Sequence, residues 1–240
     1  MNLIFVRHGQ SDWNKLNKFT GWVDVGLSKR GETEAIEAGN LLSSLGFLPY
    51  VCYSSFLKRS IDTASLVLEQ LFIDKSHELD RIKTWQLNER HYGILTGLNK
   101  EEMKIKLGES KVHQFRRSWD LRPDPLDRKS PYHPVNIETY KEIPINKIPD
   151  TESLKDTYER VINFYKQEIE NKTTNNNILI SAHGNSIRAL CKYLFKLDND
   201  QISKLEIPTG NPLVIHLDIK NKINSCKYLD HERAKDLVVF

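Results

Sequence analysis

The chain has 240 residues, with 35 Lys+Arg against 32 Asp+Glu for a formal net charge of +3. That length can bury roughly 70–75% of the unfolded surface, so a core needs neither disulfides nor metal. Charged residues at 28% and apolar ones at 39% exclude disorder as the default, no apolar run approaches the roughly 18 residues of a membrane span, and a small net charge implies no nucleic-acid partner.

Leu3-Ile4-Phe5-Val6 is wholly apolar and ends at Arg7-His8-Gly9, which fits a central strand buried on both faces. Ser28 is a helix cap, and Ala35, Ile36, Ala38, Leu41 and Leu42 recur at helical spacing until Gly46 stops the pattern. Residues 51–54 form a second strand, Leu57 to Leu71 a second helix, and Ile82 to Leu87 a third strand. A helix over Asn99–Leu107 has Asn99 as cap and Glu101 and Glu102 in its first turn, where acidic groups suit the helix dipole. Residues 120–150 hold six of the nine prolines and little periodicity. So long a stretch without regular structure is usually functional or disordered, and an ordered surface excursion is the reading here. A longer helix spans 152–170, with Leu154, Tyr158, Val161, Ile162 and Tyr165 on one stripe. Then the opening theme returns: Ile178-Leu179-Ile180, Ala182-His183-Gly184, and a helix carrying Ile187, Leu190, Cys191 and Leu194. Two antiparallel strands, around 213–217 and 225–229, close the chain. Alternating strands and helices predict an α/β fold, a three-layer sandwich whose mostly parallel central sheet is flanked by helices. It is expected to be one domain over 1–240, with a tail from about 230.

The doubled unit of apolar strand, His-Gly, turn and helix carries the chemistry. Ligands of open parallel sheets sit beyond the carboxyl ends of the strands, so His8 and His183 face one pocket if their strands are neighbours. Each trailing glycine lets backbone N–H groups approach an anion. No HxxxH, HExxH or Cys-His cluster offers a metal site. The paired histidines, with Arg7 beside the first and Arg188 beyond the second and no metal, suit a phosphoryl group, which arginine binds bidentately; Arg59, at the start of the second helix, projects near the same edge. Cys52, Cys191 and Cys226 lack CxxC spacing and read as buried thiols of a reducing compartment. With no signal-peptide pattern at the start, a cytoplasmic location is expected.

These pieces join others: Asn14, Phe19-Thr20-Gly21-Trp22, Ser54 to Arg59, Leu87-Asn88-Glu89-Arg90-His91-Tyr92-Gly93, Leu98-Asn99-Lys100, Arg116-Arg117, Glu152 to Asp156, Ala182 to Ser186, and Ile207-Pro208-Thr209-Gly210. Together, over nearly the whole chain, they resemble the cofactor-dependent phosphoglycerate mutases of the histidine phosphatase superfamily. The resemblance implies interconversion of 3- and 2-phosphoglycerate through a phosphohistidine, primed by 2,3-bisphosphoglycerate and needing no metal, in glycolysis and gluconeogenesis. It makes His8 the nucleophile and Glu89 the general acid/base, a role that calls for a raised pKa. Arg7, Arg59, His183, Gly184, Asn185 and Asn14 would surround the phosphoryl group. Tyr92, Lys100, Arg116, Arg117, Arg90 and the Thr20-Gly21 backbone would hold the substrate's carboxylate and second phosphate. A homodimer or homotetramer is implied by analogy.

Trp22 and Trp85 read as core. Gln10 stands where many relatives have Glu, about three extra residues fall near Asp74–Asp80, and Leu237-Val238-Val239-Phe240 replaces the relatives' Lys- or Ala-rich tail. The alternative is a phosphatase of the same superfamily acting on a phosphomonoester or sugar bisphosphate. It would need neither Arg116-Arg117 nor the 120–150 excursion. A catalytically silent binding protein would be expected to have lost His8, His183 or Glu89.

Overall fold

A computed structural model describes residues 2–71, 79–173, 176–218 and 220–234. Its centre is a six-stranded sheet in the order β3-β2-β4-β1-β5-β6, formed by β1 (Asn2–Arg7), β2 (Val51–Ser54), β3 (Asp80–Lys83), β4 (Ile178–Ala182), β5 (Leu213–Leu217) and β6 (Ile223–Tyr228). The first four strands run parallel, β5 is antiparallel to β1, and β6 is antiparallel to β5. The two apolar runs that precede His8 and His183 are therefore neighbours, with Arg7 opposite Ala182.

Alternation along the strands sorts the core into two layers. Ile4 and Val6 of β1, with Cys52 and Leu179, face Ala38, Leu42, Ala64, Val67 and Leu68. Those last residues belong to α2 (Lys29–Ser44) and α3 (Lys58–Leu71). Leu3 and Phe5 point the other way, with Tyr53, Ile178 and Ile180, onto Val161, Ile162, Ile187 and Leu190. These come from α6 (Leu154–Phe164) and α7 (Gly184–Phe195). Both faces of the sheet are covered, which is why these strands read as unbroken apolar runs.

The caps fall where the sequence places them. Ser28 Oγ accepts from Gly31 N at the start of α2, and the Asn99 side chain accepts from Glu101 and Glu102 N at the start of α4 (Lys100–Leu107). Ser153 and Asp156 cap each other's backbone at α6.

Two elements differ from expectation and three more lie outside it. The third strand occupies Asp80–Lys83, and Trp85–Leu87 is a 3-10 turn; Thr84 N bonds the Ser54 carbonyl, and the chain then turns so that Leu87 enters the core. The long helix keeps α-geometry only to Phe164, then widens to a π turn over Tyr165–Ile169. Three short helices lay outside the reading: α1 (Asp12–Lys15), α5 (Glu109–Arg117) and α8 (Asn199–Lys204). The 120–150 excursion is ordered through 3-10 turns at Pro134–Asn136, Glu138–Tyr140 and Ile145–Lys147. Its Tyr140, Ile143 and Ile148 bury against Trp22 and Leu57, and Tyr140 Oη donates to the Trp22 carbonyl. Much of the 74–80 stretch, and the terminal Leu237–Phe240, lie outside the described residues.

Candidate active site

The carboxyl ends of β1, β4 and β2 deliver His8, His183 and Ser55 side by side. His8 N bonds the Ala182 carbonyl at 3.0 Å, and the two imidazole centroids are 4.9 Å apart. His8 Nδ1 lies 2.7 Å from the Gly9 carbonyl oxygen. That oxygen can only accept, so Nδ1 carries the proton and Nε2 keeps its lone pair. Arg59 Nε donates to that Nε2 at 3.3 Å. Burial, then the charges of Arg59 and Arg7, hold His8 well below the usual imidazole range, so it is neutral at pH 7. His183 is lowered by burial, Arg59 and His8 as well. Its Nε2 is 2.8 Å from Ser55 Oγ, while its buried Nδ1 has no protein partner.

Arg59 opens α3 and is fixed by its own loop contacts, donating to the Val23 and Gly21 carbonyls at 2.9 Å each. Arg7 Nη1 donates to the Ile207 carbonyl at 2.7 Å, leaving Nε buried and unpartnered. Gly184 sits close under two guanidiniums: a Cβ there would stand 3.2 Å from Arg188 Nη1, a tight approach, and 3.7 Å from the Arg7 guanidinium, an ordinary contact. Asn14 spends its Oδ1 on Ser11 N in the capping box of α1, so its Nδ2 stays available.

Glu89 Oε1 accepts from Arg90 N at 2.8 Å, from Asn185 Nδ2 at 2.8 Å and from Asn185 N at 3.2 Å. Burial works to raise its pKa, but the Arg90 N–H, the Asn185 amide, Arg7 and Arg59 outweigh it and the net direction is down. The raised value expected of a general acid is thus not a property of the ligand-free site. Tyr92 Oη accepts from Asn185 Nδ2 at 3.0 Å.

A single cleft gathers Arg7, His8, Asn14, Thr20, Gly21, Arg59, Glu89, Tyr92, Lys100, Arg116, Arg117, Gly184 and Asn185. Its seven cationic side chains (those named, with Lys18 and Arg188) face two carboxylates, Glu89 and Glu206. Arg116 and Arg117 end α5, where the helix dipole favours cations. His183 lies behind this lining against His8. Arg90 is not part of the lining: it is fully buried, its guanidinium 4.9 Å from the Tyr92 ring and donating to the Phe115 carbonyl. Lys18 and Glu206 are the residues that the motifs missed, and Arg188 enters the sequence reading only as the companion of the second His-Gly unit. Arg188 had a signal, since it lies one helical turn after Gly184; Glu206, which pairs with Arg117 and Arg188, had none beyond its place next to Ile207-Pro208. Among the described residues no group of three or more His, Cys, Asp or Glu could hold a metal, and no helix is long and apolar enough to cross a membrane.

Paired strand-end histidines, one neutral with an unprotonated nitrogen that accepts from an arginine, are the features of a phosphoryl-transfer site on an α/β sheet. The family model of the histidine phosphatase superfamily (branch 1) matches residues 3–135 and 129–230, and the chain belongs to that superfamily. Within it, the chain is 60% identical over 240 residues (100% of this chain, 99% of the relative) to a 2,3-bisphosphoglycerate-dependent phosphoglycerate mutase of Pelagibacter ubique (strain HTCC1062). A protein of the same name from Hydrogenobaculum sp. (strain Y04AAS1) is 44% identical over 238 residues, covering 98% of this chain and 95% of that one. Among solved structures, the α-ribazole phosphatase of Shigella flexneri matches with a TM-score of 0.66 at 19% identity, over 93% of each chain. A mycobacterial glucosyl-3-phosphoglycerate phosphatase matches with 0.65 at 23%, over 95% of this chain and 96% of that one. At such identities these two share the fold.

Proposed function

We propose that the protein is a 2,3-bisphosphoglycerate-dependent phosphoglycerate mutase, interconverting 3- and 2-phosphoglycerate in glycolysis and gluconeogenesis. The observation that carries this reading is the neutral His8, its unprotonated Nε2 accepting from Arg59 in a cleft of seven cations and two carboxylates. Relatives of that name at up to 60% identity support it.

In this reading His8 Nε2 attacks phosphorus in line, and the P–O bond to the glycerate breaks as the N–P bond forms. Arg7, Arg59 and the N-terminal turn of α7 spread the equatorial charge. With the Ser55 hydroxyl donating to His183 Nε2, the unpartnered Nδ1 carries a proton for a phosphoryl oxygen. Glu89 gives a proton to the departing alkoxide and takes one from the attacking hydroxyl in the reverse transfer. It is a carboxylate in the free site, ready as base; a phosphoryl dianion on Arg7 and Arg59 weakens their hold and lets it take up the proton it donates as acid. Tyr92, Lys100, Arg116 and Arg117 bind the carboxylate and the second phosphate. Arg90 acts from behind Tyr92.

The orphaned Arg7 Nε and His183 Nδ1, with the excess of cations, fit a bisphosphorylated acid. When bound, 2,3-bisphosphoglycerate supplies the phosphoryl group that charges His8, held by these same side chains. A single domain over 1–240, a cytoplasmic location and a homodimer or homotetramer belong to the same reading.

The test is conversion of 3-phosphoglycerate with and without trace 2,3-bisphosphoglycerate while free phosphate is followed. Primer-dependent 2-phosphoglycerate with little phosphate is expected. Phosphate without isomerisation would move the protein to the phosphatases.

A further inference from the structure

Behind Glu89 lies a buried ion pair that this reaction does not use. Arg160 of α6 meets Glu152, one residue before that helix's Ser153 cap, through Nε–Oε1 at 2.7 Å and Nη2–Oε2 at 2.9 Å. Their side chains are 9% and 4% exposed. The rest of the guanidinium serves backbone. Nη1 donates to the carbonyls of Gln86 at 2.6 Å and Asn88 at 3.0 Å, and Nη2 to that of Glu89 at 3.0 Å. Its carbon sits 5.5 Å from the Trp22 ring centroid. From the other side, Glu152 Oε2 accepts from His91 N at 2.8 Å, and Glu152 N donates to the His91 carbonyl at 2.9 Å. Backbone groups both before and after Glu89 therefore terminate on one ion pair.

Stability is a poor reason for this arrangement. Desolvating two charges offsets much of their attraction, and well-packed apolar residues commonly do as well. No apolar pair, however, can satisfy inward-pointing carbonyls from residues 86, 88 and 89, and a lysine cannot do so while also gripping a carboxylate along two edges. The planar fork does both. What it fixes is the segment that aims Glu89 at Asn185 and the cleft.

We infer that the Arg160–Glu152 pair is a positioning device for Glu89, holding its carboxylate in line with the glycerate hydroxyl; the inference rests on the assignment of Glu89 as proton donor and acceptor. A displacement of about 1 Å at a catalytic group costs on the order of 100-fold in rate, so the effect belongs in kcat. His8, Arg59 and the substrate-binding arginines stand on other elements and are left in place.

The test compares wild type with Arg160→Lys in two reactions. Primer-dependent mutase turnover needs proton transfer at the glycerate oxygen. Phosphorylation of His8 by p-nitrophenyl phosphate, followed as a stoichiometric burst of nitrophenolate, does not, because nitrophenolate departs without a proton. Arg160→Lys should lower mutase kcat by about 10- to 100-fold with KM changed by less than about threefold, while the burst rate stays within about threefold of wild type. In a Glu89→Gln background the same substitution should cost little more, since the two act as a unit. Equal slowing of both reactions, or full additivity with Glu89→Gln, would make the pair a general scaffold and overturn the inference; so would mutase kcat within twofold of wild type. If Arg160→Lys does not fold, Glu152→Gln, which loses one of the two acceptor edges, is read by the same criteria. Wild type without mutase activity would instead overturn the functional reading, before any variant is compared.

Discussion

At the residue scale, two titrating groups make the sharpest statements. The Gly9 carbonyl holds the His8 proton on Nδ1, so the phosphoryl adduct must form on Nε2. A phosphoramidate is acid-labile and alkali-stable, the reverse of a serine ester. The labelled enzyme should therefore lose phosphate in acid and keep it in alkali, and 31P NMR of its digest should show the Nε2 isomer. An Nδ1 adduct would mean that the Gly9 contact breaks before chemistry. Lys100 gives the second statement. Burial, then repulsion from Arg116 and Arg7, pulls its ammonium down to about 8. A bound anion favours the charged form, so the complex has the higher pKa and binding takes up a proton once the pH passes 8. Affinity is then constant below pH 8 and falls above it, by up to about tenfold between pH 8 and 9. Titration of 3-phosphoglycerate binding across pH 7–9.5 checks this, and Lys100→Met should flatten the alkaline limb. A limb unchanged in the variant would assign it to another group.

At the scale of elements, the site depends on how closely α2 approaches the segment after β1. A Cβ on Gly31 would stand 2.0 Å from the Gln10 carbonyl oxygen, and one on Gly9 2.1 Å from that of Gly31. Both obstructions are backbone, so neither can rotate away. Gly31→Ala should cost on the order of 1–3 kcal/mol by overpacking and should also lower kcat, because the displaced segment carries His8. Gly26→Ala, with nothing within 4 Å of the added methyl, should unfold at the wild-type urea midpoint. Equal midpoints for the two variants would contradict the close approach. The repeated strand–His-Gly–helix unit made this much legible, because a strand buried on both faces leaves an unbroken apolar run and its end leaves a glycine. Caps such as Ser28 and Asn99 were legible for the same local reason. What stayed hidden depended on distant partners. The third strand stops at Lys83, level with the end of its partner β2 at Ser54, a length that no local pattern encodes. α5 is short, starts at a Gly108 with φ of +85°, and buries only Val112 and Arg117; so narrow an apolar face leaves no helical stripe to read, and only the family resemblance assigns Arg116-Arg117 to the substrate. α8 carries a readable Asp198–Gln201 capping box that a six-residue helix made easy to pass over. Glu206 and the covering of Arg90 behind Tyr92 arise only when elements far apart in the chain meet.

For the whole molecule, charge matters by place rather than by sum. The chain carries +3 overall, yet the cleft alone holds seven cationic side chains against two carboxylates, so the remainder of the surface is close to neutral or slightly acidic. A compact excess of positive charge in a low-dielectric recess focuses the field outward and raises the encounter rate of small anions without making the protein sticky toward polyanions. Because the effect acts across solvent, it is bounded by the screening length, which shrinks from about 30 Å at 0.01 M salt to about 8 Å at 0.15 M. The cleft's own contacts, at hydrogen-bond range, are far less screened. Raising ionic strength with a weakly binding salt should therefore lower kcat/KM for 3-phosphoglycerate several-fold while kcat at saturating substrate stays nearly constant. Glu206 tempers the same field, pairing with both Arg117 and Arg188 from a half-exposed position. Replacing it by Gln leaves those guanidiniums unneutralised, so Glu206→Gln should raise kcat/KM at low salt and show a steeper decline with ionic strength than wild type. Parallel, salt-independent kcat/KM in both proteins would mean that capture is governed by contact inside the cleft and not by its field.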